Sequence, residues 1–381
     1  MTNSSDLTTD RLNGLLRELA SRKPIKQALI ALERGDHSFQ WAGAIGEASD
    51  GEQVQPDTPF FIASIDKLYN ATITMLLIES SRLELDASIS TYLPNAVTRG
   101  LHMLGGVDYS DQITVRHLLS HTSGLADWLE DYPKGGPSLF ERVIEEGDMA
   151  LSIEDLAVVV RDELKPHFPP QDPLASGSKV RYSDTNFMLI AAIIEAVTGQ
   201  PLHQVHEQLL LEPLDLRHTY FAGQSQPLDP TPAAMILRAN GQPVQLPRLM
   251  CSIRGMYSTA ADTIAFLRAF IQNEIFQDTE TLAAMQAHWQ RFGFPLDRAA
   301  LRSPGWPIEY GLGIMRFQMP RLFSPRHPMP AVLGHTGSTG CWLFYCPELD
   351  MLLSGSVDEA TAGAVPYRIV PKILNILRSP K

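Results

Sequence analysis

A serine followed three residues later by a lysine, Ser64 and Lys67, stands at the head of the stretch Phe60-Phe-Ile-Ala-Ser-Ile-Asp-Lys-Leu-Tyr-Asn-Ala-Thr-Ile-Thr-Met-Leu-Leu-Ile-Glu79. The apolar positions Leu68, Ile73, Met75, Leu76 and Leu77 predict a helix beginning near Ser64, and residues three apart on a helix share a face. An amine placed there can take the proton of the hydroxyl, which makes Ser64 a candidate nucleophile and Lys67 its candidate base. A lysine does this only when its pKa, about 10.4 in water, is pulled down by burial or by nearby cations. The same spacing recurs in Ser176-Gly-Ser-Lys179. That copy sits in a Pro- and Gly-rich loop with no helix after it and reads as chance.

Other residues invite chemistry less directly. Tyr182 stands in the loop just ahead of the apolar run Phe187–Gly199, a rigid place for a phenol, and Asp184 is placed to cap that helix. His117 and His121 are four apart, as a zinc pair would be, but no Glu lies between them as in H-E-x-x-H, so capping or packing is the better reading. The same holds for His203 and His206. Cys341 and Cys346 fall on opposite faces of one predicted strand and should not pair. With three cysteines in all and no C-x-x-C, a zinc knuckle or redox dithiol has little support. Arg254 would serve either a substrate carboxylate or a surface ion pair. Phe61, Tyr310 and Trp342 would line a cleft or, more in keeping with their type, fill core.

The elements that must position these groups follow from the periodicity. A helix is expected up to about Arg22, then two strands, Ala28–Leu32 and Ser38–Ile45, joined by a hairpin at Gly35-Asp36. Ile113–Leu125 reads as a short helix closed by Gly124, Pro201–Leu211 as an amphipathic helix, and Ile253–Asp262 as the opening of a helix through Phe270. Residues 273–307 show no pattern. Past Tyr310 the period switches to strands, at 311–317, 332–340, 342–346 and 351–357, before a last helix from about Val365 to Leu377. The expectation is an α/β (α+β) fold: an antiparallel sheet formed by the N- and C-terminal segments, flanked by helices, with a mainly helical lobe inserted. The chain would be a single catalytic domain, with residues 1–85 and 245–381 in the α/β lobe and 86–244 in the helical one.

The chain has 381 residues, 44% of them hydrophobic, enough to bury a large core. Its net charge of −12 and the lack of a long Lys/Arg cluster speak against nucleic acid or an anionic membrane as partner. The first residues are polar and acidic where a secretory signal would be basic and then apolar, and no run of about 18 apolar residues follows. A cytoplasmic protein is expected. The sequence leaves its oligomeric state open.

With Ser64-x-x-Lys67, Tyr182-Ser-Asp184 and Gly334-His335-Thr336-Gly337 in that order, residues 25–378 resemble the serine beta-lactamase and penicillin-binding protein superfamily, most nearly its class C beta-lactamase-like hydrolases and esterases. His117–Leu125, Met256–Asp262 and Tyr310–Gly313 are further phrases typical of that group. The resemblance implies Ser64 as nucleophile, Lys67 and Tyr182 as the proton-handling pair, and Asp184, His335, Thr336 and Gly337 as substrate-binding residues. It also implies an oxyanion hole from the backbone amides of Ser64 and Ser338. No metal or organic cofactor is implied. Two departures matter. His335 stands where beta-lactamases usually have Lys, which weakens the case for a carboxylate-bearing beta-lactam as preferred substrate. Asp184 stands where the family has Asn; if ionised it favours the protonated amine and moves the base's work to Tyr182, and if not it only caps its helix.

The function expected is therefore a serine hydrolase, a carboxylesterase first, cleaving a small-molecule ester or amide through an acyl-enzyme on Ser64. The alternatives are a DD-peptidase or D-amino-acid peptidase, a beta-lactamase, an acyltransferase, and a non-catalytic penicillin-recognising binding module. A Ser-His-Asp enzyme finds no G-x-S-x-G elbow here.

Overall fold

The computed structural model describes residues 4–48, 50–323 and 328–378. The first helix, α1 (Ser4–Ala20), is amphipathic, and its Leu12, Leu15, Leu16 and Leu19 are all buried. It leads into β1 (Ala28–Arg34) and β2 (Gln40–Ile45). Near the other end of the chain come β6 (Gln290–Arg291), β7 (Glu309–Tyr310), β8 (Met315–Phe317), β9 (Val332–Thr336), β10 (Trp342–Cys346) and β11 (Met351–Val357). These eight strands form one sheet in the order β6-β7-β8-β9-β10-β11-β1-β2.

Every neighbouring pair in that sheet is antiparallel, and β11 pairs with β1 from Ala28↔Val357 to Arg34↔Met351. The N-terminal hairpin thus completes a sheet begun by the C-terminal strands. All seven residues of β11 are buried, as a strand covered on both faces requires. On its faces lie α1, the closing helix α6 (Pro366–Arg378) and α5 (Ala260–Ile271). Between the two sets of strands run the helices α2 (Asp66–Glu79), α3 (Val115–Leu119) and α4 (Asp184–Thr198) with their loops.

A second, small sheet sets the entry to α2. In it β3 (Phe60–Phe61), β5 (Met256–Ser258) and β4 (Tyr220–Phe221) lie in the order β3-β5-β4. Phe60 stands opposite Ser258, and Ile62 N–H donates to the Met256 carbonyl at 3.0 Å. The helix α2 then packs against both α4 and β9, so the segment that carries Ser64 lies between the sheet and the inserted helices rather than within the sheet's side alone.

Several local expectations need correction. The helix expected over Ile113–Leu125 stops at Leu119 because Ser120 leaves helical backbone, and Gly124 caps nothing. Gly124 instead adopts φ +73°, where a Cβ would collide with the Phe168 carbonyl. Met256–Ser258 is a strand, and the following helix starts at Ala260, capped by Thr259, whose side chain accepts from Asp262 N–H at 3.2 Å. The stretch 273–307 does hold structure: a helix over Thr279–Gln286 and the edge strand β6.

Gly313 shows why the resemblance phrase around Tyr310 needs its glycines. Its φ is +76°, its N–H donates to the Leu119 carbonyl at 2.9 Å, and a Cβ there would overlap the Ala71 methyl of α2. Gly313→Ala is expected to cost about 2–4 kcal/mol of stability, from the left-handed backbone and the forced displacement of α2 together. Urea unfolding followed by circular dichroism checks it; a loss below about 0.5 kcal/mol, the scale of a neutral surface change, would contradict this packing.

Candidate active site

The chain leaves β3 extended, reverses at Ala63, whose φ of +45° is unusual for a residue with a side chain, and enters a 3-10 turn over Ala63–Ile65 that runs into α2. This turn aims Ser64 off the head of the helix. Strand β9 ends against it: Gly337 fits because any Cβ would strike Ala63 and Cys341, and the Cys341 thiol donates to the Ile62 carbonyl at 3.0 Å. Backbone strain at a non-glycine residue survives only where neighbours hold it, and here they do.

Lys67 is one turn along α2, with Nζ donating to Ser64 Oγ at 3.0 Å. The same ammonium reaches Asp184 Oδ1 at 2.7 Å and Asp66 Oδ1 at 3.9 Å. Its side chain is only 7% exposed, which decides its charge state by its neighbours rather than by water. Burial alone would depress the amine, but the Asp184 and Asp66 carboxylates outweigh it and hold the Lys67 pKa above the usual lysine value. The depressed lysine that a free base requires is therefore not what the fold provides. The reason is Asp184, which does not cap its helix: it occupies the first helical position and turns its carboxylate onto Lys67.

The cap comes from another segment. Asp127, buried in the loop after α3, accepts the Asp184 N–H on Oδ2 at 3.1 Å and the Leu129 N–H on Oδ1 at 2.9 Å. Ser183 and Thr185 both donate their hydroxyls to the Ala126 carbonyl, and Trp128 N–H donates to Thr185 Oγ1. Loop 121–131 thereby clamps the N-terminus of α4 and fixes Tyr182 and Asp184 together.

Tyr182 is 5% exposed and wedged among rings, its centroid 4.4 Å from His121, 6.3 Å from Tyr310 and 6.4 Å from His335. Its ring also lies 5.6 Å from Lys67 Nζ. Burial and the Asp184 charge push the phenol's pKa well above the usual tyrosine value, and only the nearby Ser64 hydroxyl opposes them. A resting phenolate is excluded at neutral pH.

His335 corrects another expectation. It does not line the cleft but is fully buried behind Tyr310 and Tyr182. Nδ1–H donates to the Thr336 carbonyl at 2.8 Å, which leaves Nε2 to accept from Tyr310 Oη at 2.9 Å. Burial first and the Lys67 charge second push its pKa down to about 3. It is a neutral brace, not a substitute for the cation of the beta-lactamases. Thr336, Gly337 and Ser338 do face the cleft, and Thr336 Oγ1 lies 2.8 Å from Tyr367 Oη.

Ser64 opens onto two adjoining cavities. One is walled mainly by apolar side chains and also meets Lys67, Asp184 and Ser338. The other is the more polar of the two: Glu130, Tyr182, Arg302, Thr336 and Ser338 line it together with apolar groups such as Leu301, Trp306, Phe317 and Met319. Arg302 Nε donates to Glu130 Oε2 at 2.6 Å, and burial raises the Glu130 pKa to about 7 despite that cation. Sequence reading missed Asp127, Glu130 and Arg302, since their partners come from segments far along the chain.

The remaining candidates fall away from the chemistry. His117 Nδ1 accepts the Thr114 N–H in a capping box, and no cluster of potential metal ligands exists among the described residues. Arg254 pairs with Glu195. Ser176 and Lys179 lie exposed in a loop. No helix among the described residues is long and apolar enough to cross a membrane.

Residues 22–357 match the model of the family described as beta-lactamase. Esterase EstB of Burkholderia gladioli is 27% identical over 315 residues, covering 77% of this chain and 76% of that protein. The D-alanyl-D-alanine-carboxypeptidase/endopeptidase AmpH of Escherichia coli is 22% identical over 324 residues, 84% of this chain and 74% of its own. Among solved structures, EstCE1, a hydrolase with promiscuous acyltransferase activity, superposes with a TM-score of 0.70 at 23% identity over 98% of this chain and 99% of its own. The D-amino acid amidase of Ochrobactrum anthropi SV3 reaches 0.72 at 20% identity over 98% and 99%. These two structures share the fold.

The buried imidazole of His335 has a measurable signature. Between its unfolded value near 6.5 and its folded value of about 3, the unfolded chain binds a proton that the folded chain refuses, so stability falls as pH drops through that window. The slope from this one group is about 1.4 kcal/mol per pH unit. His335→Asn should be less stable than the parent at pH 7.5 but lose that contribution, narrowing the gap toward pH 4.5. Urea unfolding across pH reads it; a gap that stays constant would mean that His335 titrates normally.

Proposed function

The chain belongs to the beta-lactamase family of serine hydrolases, and we propose that it cleaves carboxylic esters through an acyl-enzyme on Ser64. The carrying observation is the contact of Lys67 Nζ with Ser64 Oγ at 3.0 Å, beside the buried Tyr182 hydroxyl and at the junction of two cavities. The esterase EstB, with three quarters of its length covered, supports ester over amide as the bond cleaved.

The roles follow from the charge states. Lys67, kept cationic by Asp184, donates to Ser64 Oγ and stabilises the negative charge that grows there as the serine proton leaves. Tyr182 takes that proton while passing its own to the departing alcohol oxygen. It needs no resting phenolate, so its high pKa suits a relay. The bond from Ser64 Oγ to the carbonyl carbon forms, the ester C–O bond breaks, and the alcohol leaves with one proton. Water then enters, loses a proton back through Tyr182, and releases the acid and the free serine. The amides of Ser64 and Ser338 are assigned to the oxyanion, a contribution worth about 10²–10³ in rate per donor.

Intact mass after incubation with a fluorophosphonate, followed by peptide mapping, tests the nucleophile. One adduct on Ser64 is expected, and none in Ser64→Ala; label elsewhere would overturn the assignment. Tyr182→Phe should lose about 10²–10⁴ in kcat, the usual worth of a proton-transfer group. In Asp184→Asn the amine loses its main counter-charge, so burial pulls its pKa down. The alkaline limb of the pH–rate profile should then move to lower pH, with kcat at neutrality falling about tenfold. A rise in neutral rate with the acid limb shifted down would instead make Lys67 the base.

A further inference from the structure

The two cavities that meet at Ser64 differ in their polar groups. On one side the wall is built from Phe61, Trp128, Phe140, Val143, Met188 and Leu249, with further aliphatic groups behind them. Several of its polar side chains are already engaged. Arg254 pairs with Glu195 through both guanidinium arms, at 3.0 and 2.5 Å. Asn70 is held against His206 at 2.9 Å, and Ser252 donates to the Arg248 carbonyl at 2.8 Å. Beyond the Asp66, Lys67 and Asp184 cluster, no described charged residue lining this cavity lacks an opposite charge. A carboxylate or ammonium carried inward would lose its water and meet no free counter-ion, a cost of several kcal/mol.

Tyr182 distinguishes the two sides. It lines the polar cavity, with Glu130, Arg302, Thr336 and Tyr367, and not the apolar one. If Tyr182 delivers the proton to the departing oxygen, that oxygen lies on the polar side when the C–O bond breaks. The other substituent of the carbonyl, the acyl chain, must then point away from it. Lodging that chain against aromatic and aliphatic walls is favourable in proportion to the area it removes from water.

We propose that the substrates are esters with an uncharged acyl group of several carbons, aliphatic or aryl-alkyl, lodged in this apolar cavity, and that the alcohol departs through the polar cleft. This rests on the Ser64 and Tyr182 reading above. It argues against the short, polar D-alanyl group as the preferred acyl donor.

Two ester series separate the sides. In 4-nitrophenyl esters from acetate to octanoate, kcat/KM is expected to rise about fourfold per methylene over the first several carbons. In butyrate esters of methanol to hexanol, followed by pH-stat, it should rise less steeply per methylene than in the acyl series, because that cleft carries Glu130, Arg302 and hydroxyl groups among its apolar walls. Met188→Trp, which fills the apolar cavity, should lower the octanoate-to-acetate ratio of kcat/KM about tenfold or more; Leu249→Trp is the second filling variant if the first melts early.

A preference for acetate with no gain on lengthening overturns the proposal. So does a steeper gain in the alcohol series, which would put the alcohol in the apolar cavity. Both outcomes can occur with a fluorophosphonate adduct on Ser64, and then only the cavity assignment fails. Absence of that adduct removes the underlying reading instead.

Discussion

One buried ion pair orders the site. Lys67 cannot be hidden to this degree as a lone ammonium, and its partner Asp184 belongs to a helix more than a hundred residues further on. The pair therefore does two things at once: it locks α2 to α4, and it fixes the charge next to Ser64. Removing one member of such a pair leaves a buried charge uncompensated, at a cost of about 3–5 kcal/mol. That penalty makes the relative placement of the two helices stiff where chemistry demands it. The Asp127 carboxylate on the Asp184 amide extends the same constraint into the loop after α3, so the position of the carboxylate is determined from two directions.

Around this pair the fold has arranged an aromatic floor rather than a second cation. Tyr310, His335, Tyr182 and His121 meet one another edge-on or tilted. Because His335 spends both ring nitrogens on fixed partners, its tautomer is set and it carries no charge toward the substrate. The field at Ser64 is thus dominated by one ammonium and its carboxylates. With the lysine held protonated, the neutral Tyr182 phenol is the group beside Ser64 that is left uncharged.

Much of this was legible in the residues. The antiparallel sheet closed by both ends of the chain followed from the strand periodicity at Ala28–Ile45 and beyond Tyr310; Ser64 and Lys67 were singled out by spacing and context, and Tyr182 as a proton carrier by the family resemblance. The charge state of Lys67 was not, because it depends on which way Asp184 turns. A residue at the head of a helix can cap its own amides or reach across, and local sequence favours the first. Asp127 took the capping job from a distant loop, which no window around Asp184 could reveal. His335 misled in the same way: strand alternation says which face it is on, but not that Tyr310 covers that face. The short elements at Met256–Ser258 and Gln290–Arg291 escaped because two or three residues carry too little period to register.

The reversal at Ala63 has a further consequence. An L-residue held at φ +45° costs about 1 kcal/mol relative to glycine, which adopts that region freely. Yet the methyl group is what fills the gap beside Gly337. Heat resistance and turnover pull this position in opposite ways. Selection for a hardier protein would relax the bend at the expense of aim, whereas selection for rate would tolerate the stored tension.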